Sequence, residues 1–254
     1  MQTSLTFATD NRLPEILDRL RSLFPTKPAT RTDPLSQLVF AVAADGAAPS
    51  VGAAVFNRLR AKFPRWSDLR DADPAAVARV LVGVPDAAKK ADAIPGLLQA
   101  IQAERGVIDL DFLGRMSTEA AGRWLERLPG VTADIAAATL SFSDLRRPVI
   151  AIGRAAARPV RRLGLAQGGA PLSALPRQVA EKAPADWEAE AFADFARGMA
   201  RLSRTVCHEG KPDCRACPLK DLCDFGSQGN GGQGGGSATV VAFPGAARRR
   251  TDAA

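Results

Sequence analysis

No stretch of the 254-residue chain approaches the roughly 20 consecutive apolar residues that a membrane-spanning helix needs. The longest candidate, Leu38 to Ala44, is ended by Asp45-Gly46, so no membrane association is expected. Met1 to Arg19 lacks the basic start and apolar core of a secretory leader, and the expected setting is a reducing, cytoplasmic one. Histidine is nearly missing. His208, the only one, stands beside Cys207 and reads as a surface residue or a neighbour of a metal ligand rather than a general base. β-branched alternation is also scarce, which removes the pattern of half-buried strands and predicts an all-α fold. Cysteine is limited to four residues, all within a seventeen-residue segment: Cys207-x6-Cys214-x2-Cys217-x5-Cys223.

What the chain does have is positive charge. Its 34 Lys and Arg stand against 27 Asp and Glu, a net charge of +7 and a pI near 9.7. Such a balance favours a polyanionic partner, yet an ordinary globular protein with a mildly basic surface has the same composition. Length and a 46% hydrophobic content allow one large core or two modest ones.

Short helices with turn signals between them fill most of the chain. Leu13-x2-Ile16-Leu17-x2-Leu20 has the three-and-four spacing of an amphipathic helix. Leu38 to Leu59 predicts two apolar helices broken at Asp45 to Ser50. Asp73-Pro74 marks a helix start, with a capping side chain and proline at the first position, and Leu81 to Pro85 ends that helix. Ala87 to Ala103 aligns Ile94, Leu97, Leu98 and Ile101 on one face, with Lys89 and Lys90 at its start. From Gly226 to Ser237 the composition is that of a flexible linker, and Val240 to Phe243 with Arg248 to Arg250 forms a basic tail beyond it.

Four thiolates this close in sequence can wrap one metal centre. A disulfide pair suits an oxidising compartment, and structural zinc usually takes two CxxC knuckles, of which only Cys214 to Cys217 is present. A [4Fe-4S] cluster tolerates uneven gaps. Separately, Leu128-Pro129-Gly130-Val131-Thr132 sits between two helical runs, Thr118 to Arg127 and Ala133 to Phe142. A Pro-Gly turn before a helix can leave backbone N–H groups pointing outward at the positive end of the helix dipole, where a phosphate binds without its sequence being read. Arg146, Arg147, Arg154, Arg158, Arg161 and Arg162 include a stripe at helical spacing that reads either as a set of phosphate contacts or as a solvated face.

The segment CHEGKPDCRACPLKDLC, from Cys207 to Cys223, resembles the cluster loop of endonuclease III and its adenine-glycosylase relatives in the helix-hairpin-helix DNA glycosylase superfamily. Lys211-Pro212, Cys217-Pro218-Leu219, the turn Leu128 to Thr132 and Pro34 to Val42 follow the same pattern. The resemblance spans Leu13 to Phe225. It implies a [4Fe-4S] cluster on Cys207, Cys214, Cys217 and Cys223, and a two-lobed all-α fold. Residues 31–146 would form a six-helix barrel lobe carrying the hairpin. Residues 1–30 and 147–225 would form the iron-sulfur lobe, and 226–254 a linker and tail. It further implies DNA contacts at Leu128, Pro129, Gly130, Val131, Thr132 and Lys211, which Arg154 and Arg158 of the arginine stripe are expected to join.

The positions that carry chemistry in this family are substituted here. Asp134 stands where bifunctional members have the lysine that attacks the sugar C1′. Gly153 stands where they have an aspartate, and Ala47 where endonuclease III has the glutamine that fills the space of a flipped base. Asp134 and Asp45 are the remaining carboxylate candidates for catalysis, and both also read as ordinary helix-end residues. The expected function is a DNA-binding protein of the base-excision-repair type, acting on damaged or structured DNA without lyase chemistry. The alternatives are a divergent monofunctional glycosylase and an iron-sulfur sensor of single-stranded DNA or RNA. A monomer, nucleoid-associated, is expected.

Overall fold

The computed structural model describes residues 12–25 and 32–227. The basic tail and nearly all of the Gly-rich segment lie outside them. Among the described residues there are twelve α-helices and no strand. In chain order they are α1 (Arg12–Leu23), α2 (Pro34–Ala44), α3 (Pro49–Lys62), α4 (Trp66–Arg70), α5 (Pro74–Val80), α6 (Ala87–Arg105), α7 (Thr118–Glu126), α8 (Ala133–Phe142), α9 (Arg154–Arg162), α10 (Leu175–Ala180), α11 (Ala189–Thr205) and α12 (Asp224–Ser227). None is long and apolar enough to cross a membrane.

The helix starts follow local chemistry. The Asp33 carboxylate accepts from Ser36 N–H at 2.8 Å before Pro34, and Asp73 accepts from Ala75 N–H at 3.2 Å before Pro74. In each case a side chain satisfies a backbone donor that the first turn cannot. The break predicted between two apolar helices falls at Asp45 to Ala48.

Two cores result. The first is continuous in sequence: α2 to α8 bury Leu38, Val42, Val55, Leu59, Leu97 and Ile101 among others. The single-turn helix α4 brings the number of helices around it to seven, where six were expected. The second core joins distant segments. Leu13, Ile16, Leu17 and Leu20 of α1 pack with Val160 of α9 and with Phe195, Met199 and Leu202 of α11. Each such side chain contributes about 1.5–3 kcal/mol on burial, so the stripe on α1 is enough to hold that helix against residues far along the chain. Ion pairs tie it further: Arg12 to Asp224 at 2.7 Å and Arg19 to Asp221 at 2.5 Å, with Arg19 also donating to the Pro218 carbonyl.

Two expectations are corrected. Gly226 does not begin the linker, because it is buried within α12 under the Lys220 carbonyl. The arginine stripe on α9 is not a free face beyond Arg154, which is exposed. Arg158 donates to the carbonyls of Cys207 and Ser203, Arg161 to that of Ala170, and Arg162 to those of His208 and Glu209. The cysteine loop and the turn after α9 lie across that side of the helix, and their carbonyls use its guanidinium donors.

Candidate functional site

The turn Leu128 to Thr132 is anchored from below and open above. Leu128 and Val131 are buried in the first core, while Pro129, Gly130 and Thr132 are exposed. Val131 N–H closes the turn on the Leu128 carbonyl at 3.2 Å. Gly130 has φ +74°, and a Cβ there would lie 2.7 Å from Ala93 Cβ, so both conformation and space demand glycine. Thr132 is the N-cap of α8, yet its side chain makes no capping bond. Its hydroxyl donates instead to Asp134 Oδ1 at 2.5 Å. The first-turn N–H groups of α8 therefore face outward without a side-chain cap, beside a carboxylate that adds negative charge to the same end.

Asp134, half-buried in the first turn of α8, meets the start of α9. A Cβ at Gly153, the N-cap of α9, would lie 3.2 Å from Asp134 Oδ2. The positions expected to hold the family's lysine and aspartate are thus in contact across the junction of the two cores, with one carboxylate between them. Asp45 is not part of this group. It is the exposed C-cap of α2. Its carbonyl accepts from Lys90 Nζ at 2.6 Å, as does that of Ala43 at 3.3 Å. Lys90 is buried, and that burial holds its pKa below the ordinary lysine value, against the pull of Asp45 and Asp86. It closes the C-terminal end of α2, where a cation is favoured by the dipole. Ala47 packs on the first core in the same loop.

A cavity of about 330 Å³ opens beside Gly153, between α1, α9 and α11. Its wall is largely apolar, with Phe24, Phe142, Ala156 and Gly198, and its polar lining is Arg21, Arg197, Arg201, Arg204 and Asp194. The sequence reading does not single out these arginines. The signal available for them is the spacing of Arg197, Arg201 and Arg204 on one face of α11.

The four cysteines, half-buried, line one small cavity with Arg162, Val206 and Phe225. Arg162 approaches Cys207 Sγ at 3.3 Å and stacks over the Phe225 ring at 4.6 Å, and the Cys223 thiol donates to the Arg162 carbonyl. Burial pushes the Cys217 thiol up to about 11 and raises Cys214 and Cys223 as well. Among the described residues no group of three or more His, Cys, Asp or Glu gathers closely enough to hold a single metal ion. Lys211 and His208 are exposed on the loop, and Arg154 is exposed at the start of α9. Arg147 donates to the carbonyls of Leu113, Gly114 and Met116, and Arg146 pairs with Glu190.

With hairpin, cleft and cysteine loop placed, comparison with solved structures is decisive for the architecture. A non-covalent endonuclease III–DNA complex superposes with a TM-score of 0.71 over 87% of this chain and 98% of that one, at 20% identity. The chain has the endonuclease III fold. This helix-hairpin-helix glycosylase fold is shared by a thermostable thymine-DNA glycosylase (TM-score 0.66, 17% identity, 85% of this chain and 95% of that one). It is shared also by the H. pylori 3-methyladenine DNA glycosylase bound to 1,N6-ethenoadenine (0.62, 16%, 76% and 97%). In sequence, a provisionally named DNA glycosylase of Arabidopsis thaliana is 31% identical over 88 residues, which is 35% of this chain and 30% of that relative's length. No protein-family model matches the chain.

Proposed function

We propose that this chain binds DNA as a protein of the base-excision-repair type, recognising damaged or structured DNA without lyase chemistry. The observation that carries this reading is the turn Leu128 to Thr132. Its apolar residues are sunk in the core, its Gly130 is irreplaceable, and the start of α8 is uncapped and outward. Lys211 and Arg154, both exposed, add contacts whose strength falls with salt. Asp134 in place of the lysine cannot form an imine, so borohydride trapping on abasic DNA yields no adduct at that position.

The cysteines fit a [4Fe-4S] cluster in this reading. A zinc ion draws four donors to about 2.3 Å from one point, whereas a cubane gives each thiolate its own iron corner and asks only that four thiols surround one cavity. Cys207, Cys214, Cys217 and Cys223 would hold it, and it would supply a rigid centre around which the loop carrying Lys211 is ordered. The purified protein is then brown, and Cys214→Ser loses the colour; colourless protein with stoichiometric zinc defeats the assignment.

A second reading is favoured by the contact between Asp134 and Gly153. A monofunctional glycosylase adds water to the sugar C1′ as the N-glycosidic bond breaks and the base leaves with the bonding electrons. Asp134 would stabilise the cationic sugar or take the proton from water. Damaged duplex and single-stranded oligonucleotides, assayed for binding and for released bases by mass, separate the readings. Binding without release supports the first. Release abolished in Asp134→Asn supports the second, and duplex affinity insensitive to salt removes both.

A further inference from the structure

The cavity beside Gly153 carries more positive charge than its lining neutralises. Four guanidinium groups face one carboxylate. Asp194 is shared by Arg21 Nε at 2.9 Å and Arg197 at 2.7 Å, so two cations take up the only anion. Arg201 lies over the Phe24 ring at 4.9 Å. Arg204, exposed on one side, makes no hydrogen bond or ion pair among the described residues, and desolvation together with the neighbouring Arg201 charge lowers its pKa. The Arg197 Nε is buried with no acceptor. Two guanidinium charges and one buried donor therefore line a largely apolar cavity whose size suits a small ligand.

We propose that this cavity is a binding site for a phosphate monoester. Four arginines against one carboxylate leave about three positive charges uncompensated, and a monoester, with about −1.5 to −2 charge near neutral pH, offsets more of them than a backbone diester with one charge or a flipped base with none. Planar guanidinium forks hold phosphate oxygens in pairs, and the apolar wall of Phe24, Phe142 and Ala156 suits the attached sugar. The reading rests on the proposed DNA role only in its choice of source: the terminal phosphate of a broken strand, or a free nucleotide.

The test uses the full chain and a gapped duplex bearing either a phosphate or a hydroxyl at the break, at its 5′ and 3′ ends in turn, with affinity read by fluorescence anisotropy. Deoxynucleoside monophosphate and inorganic phosphate serve as competitors and as ligands in thermal-shift measurements. A preference of about tenfold for one phosphorylated end, on the scale of a single charge-assisted hydrogen bond, supports the site with a strand end as ligand. That preference is expected to vanish in Arg201→Ala/Arg204→Ala and to persist in the double lysine variant. Stabilisation by the monophosphate, lost in the same alanine variant without any end preference, supports the site with a free nucleotide as ligand. Equal affinity for phosphorylated and hydroxyl ends, with no stabilisation by either competitor, overturns it. Salt-sensitive binding of intact duplex is read in parallel, so the cavity assignment and the DNA-binding reading fail separately.

Discussion

Replacing Gly153 by aspartate restores a carboxylate at the position where the family's acid is expected, and the structure predicts that the protein is destabilised by it. Gly153 has φ −76° and ψ 178°, which any residue adopts, so the backbone imposes no penalty. As the N-cap of α9 it would even gain a few tenths of a kcal/mol from an aspartate side chain. Against this stands Asp134, whose Oδ2 is 3.2 Å from the new Cβ. Two carboxylates held about 4 Å apart repel by about 1 kcal/mol in bulk water and about 4 kcal/mol at the effective dielectric of a protein surface. Repulsion outweighs the capping gain, and Gly153→Asp is expected to lose between those two values in urea unfolding at pH 7. The repulsion exists only while both carboxylates are ionised, so the deficit shrinks as pH falls into the range where carboxylates take up protons, about 4, and grows as pH rises through it. Combining the change with Asp134→Asn should remove most of it. A variant as stable as the parent at pH 7, or an equal loss when Asp134→Asn is also present, would refute the placement of these two residues in contact.

Gly130→Ala combines a left-handed backbone, costing about 1–2 kcal/mol, with overpacking against Ala93, costing about 1–3 kcal/mol. Urea unfolding should show a loss of that combined order, and anisotropy a drop in duplex affinity. Lys90→Met leaves the buried Ala43 carbonyl without its donor, at about 1–3 kcal/mol, while the Asp45 carbonyl, on an exposed residue, can turn to water. Because burial sets the folded pKa of Lys90 below its ordinary value of 10.5, the unfolded chain binds more protons just below that value. The parent accordingly gains stability relative to Lys90→Met as pH rises through that alkaline window, measured by unfolding at pH 8 and pH 10. Asp134→Asn removes a negative charge from the uncapped end of α8, and salt titrations should show tighter duplex binding, by a few-fold at low ionic strength; weaker binding would place the phosphate elsewhere.

Most of the helices and the anchored hairpin are legible in the sequence because their signals are local: a capping aspartate before proline, a Pro-Gly turn, apolar residues at three-and-four spacing. The cysteine loop is legible for the same reason. Direction is not. The spacing of Arg154, Arg158, Arg161 and Arg162 defines a helix face and says nothing of what covers it, and only the packed structure shows the Cys207 to Glu209 carbonyls lying there. The sequence places Lys90 at a helix start and no more, because the α2 end that receives it is 45 residues away in sequence. Asp134 and Gly153 read as two separate substitutions. Their contact depends on how α8 and α9 meet, which no local pattern encodes.

The ties between α1 and the last described turn bear on the order in which the molecule assembles. The first core is built from one uninterrupted stretch and can form as soon as α8 has been synthesised. α1, made earlier, has to wait with Leu13, Ile16, Leu17 and Leu20 exposed until α9 and α11 emerge, and Arg12 and Arg19 wait longer still for Asp224 and Asp221. Closing so long a loop is entropically slow, and an apolar helix without its partner is a site for misassociation. The first of the described helices is thus buried only once α11 has emerged, and truncation after α11 would release the ion pairs that fasten it.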